Sequence, residues 1–275
     1  FSQLQRQSVG LDPVSKLLLS EFLEYLKMTG IAHATSFEID DFAFFTRPPY
    51  DRLSIQKRIV ASKLERFTEE LGSSPVIRKI VGLYGLKRIK PKSYVNPGVF
   101  RNNSTNFWIT LGPKERRNHC HLTIRITENG IKLDAFAPHR TFTRRLVNAI
   151  KKNPDGFIDA LKDISSRDPF LIRLREAYYS NPGSSYKGQR IGHFVDYLEI
   201  HPSFIDRNNI DALLINPVMK RLRKRNLRPE IFLVRDFRLS ELLGRQDIVE
   251  HVANSAEKMV PYLRFALKAT HSKHS

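Results

Sequence analysis

Two runs of alternating residues meet at an Asn-Gly pair, and this feature limits the possible folds more than any other in the chain. His119-Cys120-His121-Leu122-Thr123-Ile124-Arg125-Ile126 alternates apolar and polar side chains and is rich in β-branched types. Ile131-Lys132-Leu133-Asp134-Ala135-Phe136 does the same. A period of two gives each run one face for a core and one face turned away from it. Asn129-Gly130, between them, tolerates the positive φ of a tight turn. The stretch 116–150 therefore reads as a β-hairpin that runs through Pro138 into a basic helix, Thr141–Ile150, with Phe142, Leu146 and Ile150 inward. The hairpin belongs at the centre of a sheet. Phe107-Trp108-Ile109-Thr110-Leu111, closed by Gly112-Pro113, supplies a third antiparallel strand ahead of it.

Helical periodicity marks most of the remainder. Asp12 and Pro13 suit the cap and first position of a helix reaching Met28. Ser54–Leu71 reads as a helix with Ile55, Ile59, Leu64 and Phe67 inward. Phe157–Ile164 is a short helix after the turn Asn153-Pro154-Asp155-Gly156, and Asp168-Pro169 opens another through Tyr178. Ser36–Phe45 is a short helix or a strand. Phe194–Glu199 and Ile231–Val234 read as strands, and Asn209–Ile215 as a short helix. Ser240 caps a short helix, and Asp247–Leu267 is a final amphipathic one containing Pro261. The expected organisation is a helix and linker over residues 1–35, one domain over 36–267 and a disordered tail over 268–275. Its class is α+β: a mainly antiparallel sheet of four or more strands flanked by helices, with the extra N-terminal helix.

Composition narrows the function classes. Hydrophobic residues make up 41% of the 275, enough for a sizeable core, yet no run of about eighteen apolar residues is present to span a membrane. Phe1-Ser2-Gln3-Leu4-Gln5-Arg6-Gln7 lacks the charged-then-apolar form of a signal peptide. Cys120 is the single cysteine, which excludes an internal disulfide and a multi-cysteine zinc site and points to a reducing cytosol. The formal net charge is +18, with a pI near 10.1. Such a surface attracts phosphate backbones and other polyanions.

The cations are not spread evenly. Lys220, Arg221, Arg223, Lys224, Arg225 and Arg228 crowd one segment with little acidic compensation, Arg140, Arg144 and Arg145 begin a helix, and Lys87–Lys92 is a basic loop. Cations at a helix N-terminus oppose its dipole, so something is expected to offset the Arg140–Arg145 cluster, unless these side chains are simply solvated. Tyr94, Phe100, Trp108, Tyr178, Tyr179 and Tyr186 are interleaved with these segments, as stacking residues are in grooves that hold single strands. Trp108 and Phe100 suit a core equally well. The reading is a nucleic-acid or other polyanion binder contacting phosphates through Lys220, Arg221, Arg223, Lys224 and Arg225, with Arg140, Arg144 and Arg145 as a second patch. An interaction module for an acidic protein is a further alternative.

The order of parts resembles the DUF2461 family of conserved bacterial hypothetical proteins. Three regions carry the resemblance: Phe42-Ala43-Phe44 with Tyr50-Asp51 and the helix after them, Gly130–Ile150 with Asn153 and Phe157, and Phe232-Leu233-Val234 with Leu239-Ser240, Leu242, Asp247, Val249, Pro261, Leu263 and Ala266. It covers about residues 36–267 and implies an α+β fold. That family has no established reaction, so no catalytic residue is carried over.

A second likeness concerns chemistry. His121-Leu122-Thr123-Ile124 and His201-Pro202-Ser203-Phe204 look like the paired His-x-Thr/Ser-x tetrads of the 2H phosphoesterases. The resemblance implies His121 and His201 facing each other as base and acid, with Thr123 and Ser203 holding a phosphate of an RNA or nucleotide end. His139-Arg140-Thr141-Phe142 matches the same pattern, which shows how easily composition alone produces it. His119 and His121 share a strand face and with Asp134 could chelate a metal, but a His-x-His pair alone assigns none. Cys120 points the other way, into a core. The sequence assigns no cofactor and no oligomeric state.

Overall fold

The computed structural model describes residues 37–83, 95–97, 100–101, 103–111, 120–136, 140–179, 190–243, 245 and 247–271. The expected N-terminal helix and its linker, the loops Lys87–Lys92 and Ser180–Gly188, and Tyr94, His119, Pro138 and His139 lie outside these residues.

Seven strands form one sheet among the described residues, in the order β1-β2-β3-β4-β7-β5-β6. They are β1 (Val95–Pro97), β2 (Asn106–Leu111), β3 (His121–Thr127), β4 (Gly130–Phe136), β5 (Phe170–Tyr179), β6 (Arg190–Ile200) and β7 (Leu227–Arg238). Every neighbouring pair is antiparallel. Eight helices accompany the strands among the described residues: α1 (Ile39–Ala43), α2 (Ser54–Gly72), α3 (Pro75–Gly82), α4 (Arg140–Lys152), α5 (Pro154–Asp159), α6 (Asn216–Leu222), α7 (Leu239–Leu242) and α8 (Ile248–His271). The fold is α+β, and the predicted hairpin, β3–β4, stands at the middle of the sheet.

The strand alternation decides where the core sits. Phe107, Ile109 and Leu111 on β2 are fully buried, as are Leu122, Ile124 and Ile126 on β3 and Ile131, Leu133 and Ala135 on β4. The register places these residues side by side, with Leu233 and Phe237 of β7 continuing the same face. Helix α2 packs on β1 and β2, α4 and α6 pack on β7, and α8 lies over β4 and β7 against α2, α3 and α4. The inward stripe of α2 is Val60, Leu64, Phe67 and Leu71. Ile55, expected inward, is exposed one turn too early.

The turn of the hairpin falls one residue earlier than the Asn-Gly pair implies. Thr127 pairs with Gly130, so Glu128 and Asn129 form the two-residue loop. Gly130 opens β4 with φ +130° and pairs across to Arg238. A Cβ there would stand 2.0 Å from the Phe237 carbonyl oxygen, so only glycine lets β4 and β7 approach this closely.

Several local expectations are corrected. The segment after Asp168-Pro169 is the strand β5, not a helix. Asp168 does not cap forward: its carboxylate accepts from the Ser165 amide at 2.8 Å, closing a turn behind it. Ile172 and Leu174 are buried on one face, with Arg173 and Arg175 on the other, a period of two hidden by the Asp-Pro signal. Ser240 is not a cap either; Glu241 accepts from the Arg238 amide at 3.2 Å and starts α7. Ser36–Phe45 resolves as the helix α1 within its described residues. Pro217 lies inside the helical run of a π-type turn (Asp211–Ile215) and α6, because the first turn of a helix needs no proline N–H. Helix α8 continues through His271, past Lys268, at which a disordered tail was expected to begin.

Candidate functional site

Arg140 is the first residue of α4, and its guanidinium is spent on the protein's own backbone. Nη1 donates to the carbonyl oxygens of Lys224 at 2.6 Å, Arg225 at 3.0 Å and Leu227 at 3.0 Å, and Nη2 donates to that of Leu222. These carbonyls end α6 and the turn after it, where helical partners run out. A cation is favourable at that negative end, which offsets its unfavourable place at the start of α4. Partial burial, then the nearby Arg144, pushes the Arg140 pKa down from its ordinary value. Arg140 therefore does not present its charge to a phosphate, and its expected role as a phosphate contact is replaced by that of a clamp.

The clamp joins what the sequence separates. Arg144 and Arg145 lie about one turn further along α4, and both are exposed. Lys220, Arg223, Lys224 and Arg225 are exposed on α6 and the turn it leads into. Among the described residues, none of Lys220, Arg223, Lys224, Arg225 and Arg144 is paired with a carboxylate. Arg145 rests with its guanidinium carbon 5.7 Å from the Phe142 ring centre. The two basic segments thus make one patch of exposed cations around Arg140.

Arg221 is not part of that surface. It is bonded to Glu176 of β5, donates to the Pro217 carbonyl at 3.2 Å and lies 3.4 Å over the Tyr197 ring. Helical spacing turns it toward the sheet while Lys220 and Arg223 are exposed. Its predicted phosphate contact is corrected accordingly. Burial pushes the Tyr197 hydroxyl pKa up.

The two histidine tetrads are not brought together. His121 is buried on β3, and His201 immediately follows β6. The register runs from His121 to Phe136, then Phe232, Arg173 and Glu199. Four strand spacings lie between them, roughly 19 Å, well beyond the ~10 Å within which two imidazoles could share one substrate. His201 has both ring nitrogens engaged. Nε2 meets the Asp168 carbonyl at 2.7 Å, so it carries the proton. Nδ1 then accepts from the Ser203 amide at 3.2 Å and its hydroxyl at 2.8 Å. His201 and Ser203 close the 3₁₀ turn Pro202–Phe204. The paired-histidine arrangement, with His121, Thr123, His201 and Ser203 at one phosphate, is absent because three strands intervene.

The sheet face turned away from the helices is polar and largely buried. One row reads Thr110, Thr123 and Asp134 across β2, β3 and β4, and Asp134 meets Arg125 at 2.5 Å. The hydroxyls of Thr110 and Thr123 have no hydrogen-bond partner among the described residues. Further across, Arg173 binds Glu199 at 2.6 Å and Asp236 at 3.1 Å, Lys132 reaches Asp236 at 3.5 Å, and Arg175 binds Asp196 at 2.6 Å. Arg228 reaches Glu230 at 2.8 Å, and burial pushes the Glu230 pKa up. The carboxylates Asp196, Glu199, Glu230 and Asp236 are thus committed to arginines and lysine. Sequence reading missed this network because β5 was assigned to a helix; the alternation Ile172-Arg173-Leu174-Arg175 is the signal that reveals it.

Cys120 is fully buried on the core face, and burial pushes its thiol pKa up, as expected of a packing residue. Phe100 packs on Phe107 with ring centres 4.8 Å apart, so it belongs with the core. Tyr178 is 45% exposed. Among the described residues no three His, Cys, Asp or Glu side chains come together in a way that would hold a metal ion, and no helix is long and apolar enough to cross a membrane. The sequence matches no family model and no curated protein.

Proposed function

We propose that this chain binds polyanions and that its ligand is nucleic acid, held by its phosphates. The observation that carries the reading is the joining of two cationic segments by Arg140. Lys220, Arg223, Lys224, Arg225, Arg144 and Arg145 are exposed on the two segments that the clamp holds together, and together they would follow a single phosphate backbone. A net charge of +18 adds a long-range field that draws such a ligand in. The reading involves no bond-breaking chemistry. The DUF2461 likeness is consistent with it but supplies no activity to transfer. A single buried cysteine suits the reducing cytosol as the place of action.

The test is a titration of labelled single-stranded RNA, single-stranded DNA and duplex DNA at two salt concentrations, repeated with Arg223→Glu/Lys224→Glu. Micromolar or tighter binding with a steep loss at higher salt, abolished in the variant, supports the reading. An absence of binding at low salt overturns it. Capture of an acidic protein by the same patch, in that case, favours the interaction-module reading.

A further inference from the structure

We infer that the patch takes unpaired bases, with Tyr178 as the stacking platform beside the phosphate-binding cations; this deepens the polyanion reading and rests on it. Tyr178 lies near the end of β5, and its Cα pairs with Leu227 of β7. Antiparallel partners are about 5 Å apart. Leu227 donates its amide to the Lys224 carbonyl at 3.2 Å, and the exposed Arg225 is two residues before it. Tyr178 is therefore next to the turn that carries Arg223, Lys224 and Arg225.

Its side chain is also on the appropriate side. Glu176 and Tyr178 are two residues apart in a regular register with β7, opposite Pro229 and Leu227, so they share a sheet face. Glu176 is bonded to Arg221 of α6, which shows that this face is the one α6 covers. Arg221 neutralises Glu176, which shares that face with the ring. The result is an exposed aromatic beside a cationic turn, with the one carboxylate of its own sheet face on β5 among the described residues, Glu176, bonded to Arg221. Phe204, another exposed aromatic, lies past the far end of β6, beside the start of β5, and the cations of that end, Arg207 and Lys258, are paired with Asp155 and Asp168.

Duplex DNA offers the patch only phosphates, since its bases are stacked on each other. A single strand offers phosphates and free π-faces, and base–aromatic stacking adds to the charge contacts without reading sequence. Both RNA and DNA single strands present this chemistry.

The experiment measures the affinity of the full chain for one labelled oligonucleotide, as RNA and as DNA, and for its duplex. It compares wild type, Tyr178→Ala, Tyr178→Phe and Arg223→Glu/Lys224→Glu, with melting temperatures recorded for each. Tyr178→Ala is expected to weaken single-strand binding by about 5- to 150-fold and to remove the preference over duplex. Its salt slope stays at the wild-type value, because stacking releases no counterions. Tyr178→Phe retains the preference. If wild type binds single strands and duplex equally and Tyr178→Ala changes neither, the stacking role is wrong while salt-dependent binding leaves the polyanion reading standing. An equal loss on both ligands in a destabilised Tyr178→Ala assigns the ring to packing and also overturns the inference. A wild type that binds no strand at all overturns both.

Discussion

Arg140 Nη1 donates to the carbonyl oxygen of Lys224 at 2.6 Å, and this contact joins the positive end of α4 to the negative end of α6. Three more carbonyls, from Leu222, Arg225 and Leu227, share the same guanidinium. A planar, multi-donor cation can serve four acceptors in this way; a point-like ammonium cannot. Arg140→Ala is expected to lower stability by about 2 kcal/mol in urea denaturation, since it strands helix-end carbonyls. Arg140→Lys, although it keeps the charge, should recover less than half of that loss. Both should weaken nucleic-acid binding, and full affinity in Arg140→Ala would show that the patch does not depend on the clamp.

At Gly130 an added Cβ would meet the Phe237 carbonyl oxygen at 2.0 Å. Positive φ adds conformational strain for any other residue. Gly130→Ala should cost about 3 kcal/mol or more, read as a large fall in melting temperature. Asn129→Ala, in the exposed loop, should cost under about 1 kcal/mol. A mild Gly130→Ala would mean that β4 and β7 can separate there without penalty.

Much of the scaffold was legible because its signals are local. The alternation in β3 and β4 marked both strands as an antiparallel hairpin, though not its exact turn, and the 3.6-residue stripes marked α2, α4 and α8. The errors came where a local signal competed with another. Asp168-Pro169 has the form of a helix start, but the Asp168 carboxylate turns back to Ser165, and only tertiary context makes β5 a strand. For the site, the basic segments could be read directly, since exposed charge follows composition. Their union could not, because the Arg140–Lys224 contact spans 84 residues of sequence. The withdrawal of Arg221 from the surface was equally hidden: it depends on Glu176 and Tyr197, both distant in the chain.

The buried Thr123 hydroxyl has no partner among the described residues. A buried polar group that makes no hydrogen bond carries its desolvation cost uncompensated. Thr123→Val, nearly the same shape, should leave stability unchanged or raise it by about 1 kcal/mol. A loss of that size in chemical denaturation would instead show that the hydroxyl is satisfied, by a bound water for instance.

His251 on α8 packs against the Phe237 ring and is held 3.8 Å from Glu241. Burial, then the charges of Arg245 and Arg235, lower its pKa from the ordinary 6.5, against the opposing pull of Glu241 and Asp247. Below pH 6.5 the unfolded chain therefore binds the proton before the folded one does. Stability should rise with pH through the window between the lowered folded pKa and 6.5, then level off. His251→Gln should flatten that rise in melting temperatures recorded from pH 5 to 8, and an unchanged profile would remove His251 as its cause.

The most direct test of a single phosphate-binding patch is the salt slope of single-strand binding, measured for wild type, Arg223→Glu/Lys224→Glu and Arg144→Glu/Arg145→Glu. Six exposed cations on one strand predict a slope of log K against log salt of about −4. Each double variant should reduce it by about 1 to 2, whether the change is in the turn after α6 or on α4. A slope near zero in wild type, or a pair on α4 that changes neither slope nor affinity while the pair after α6 abolishes binding, would contradict the account.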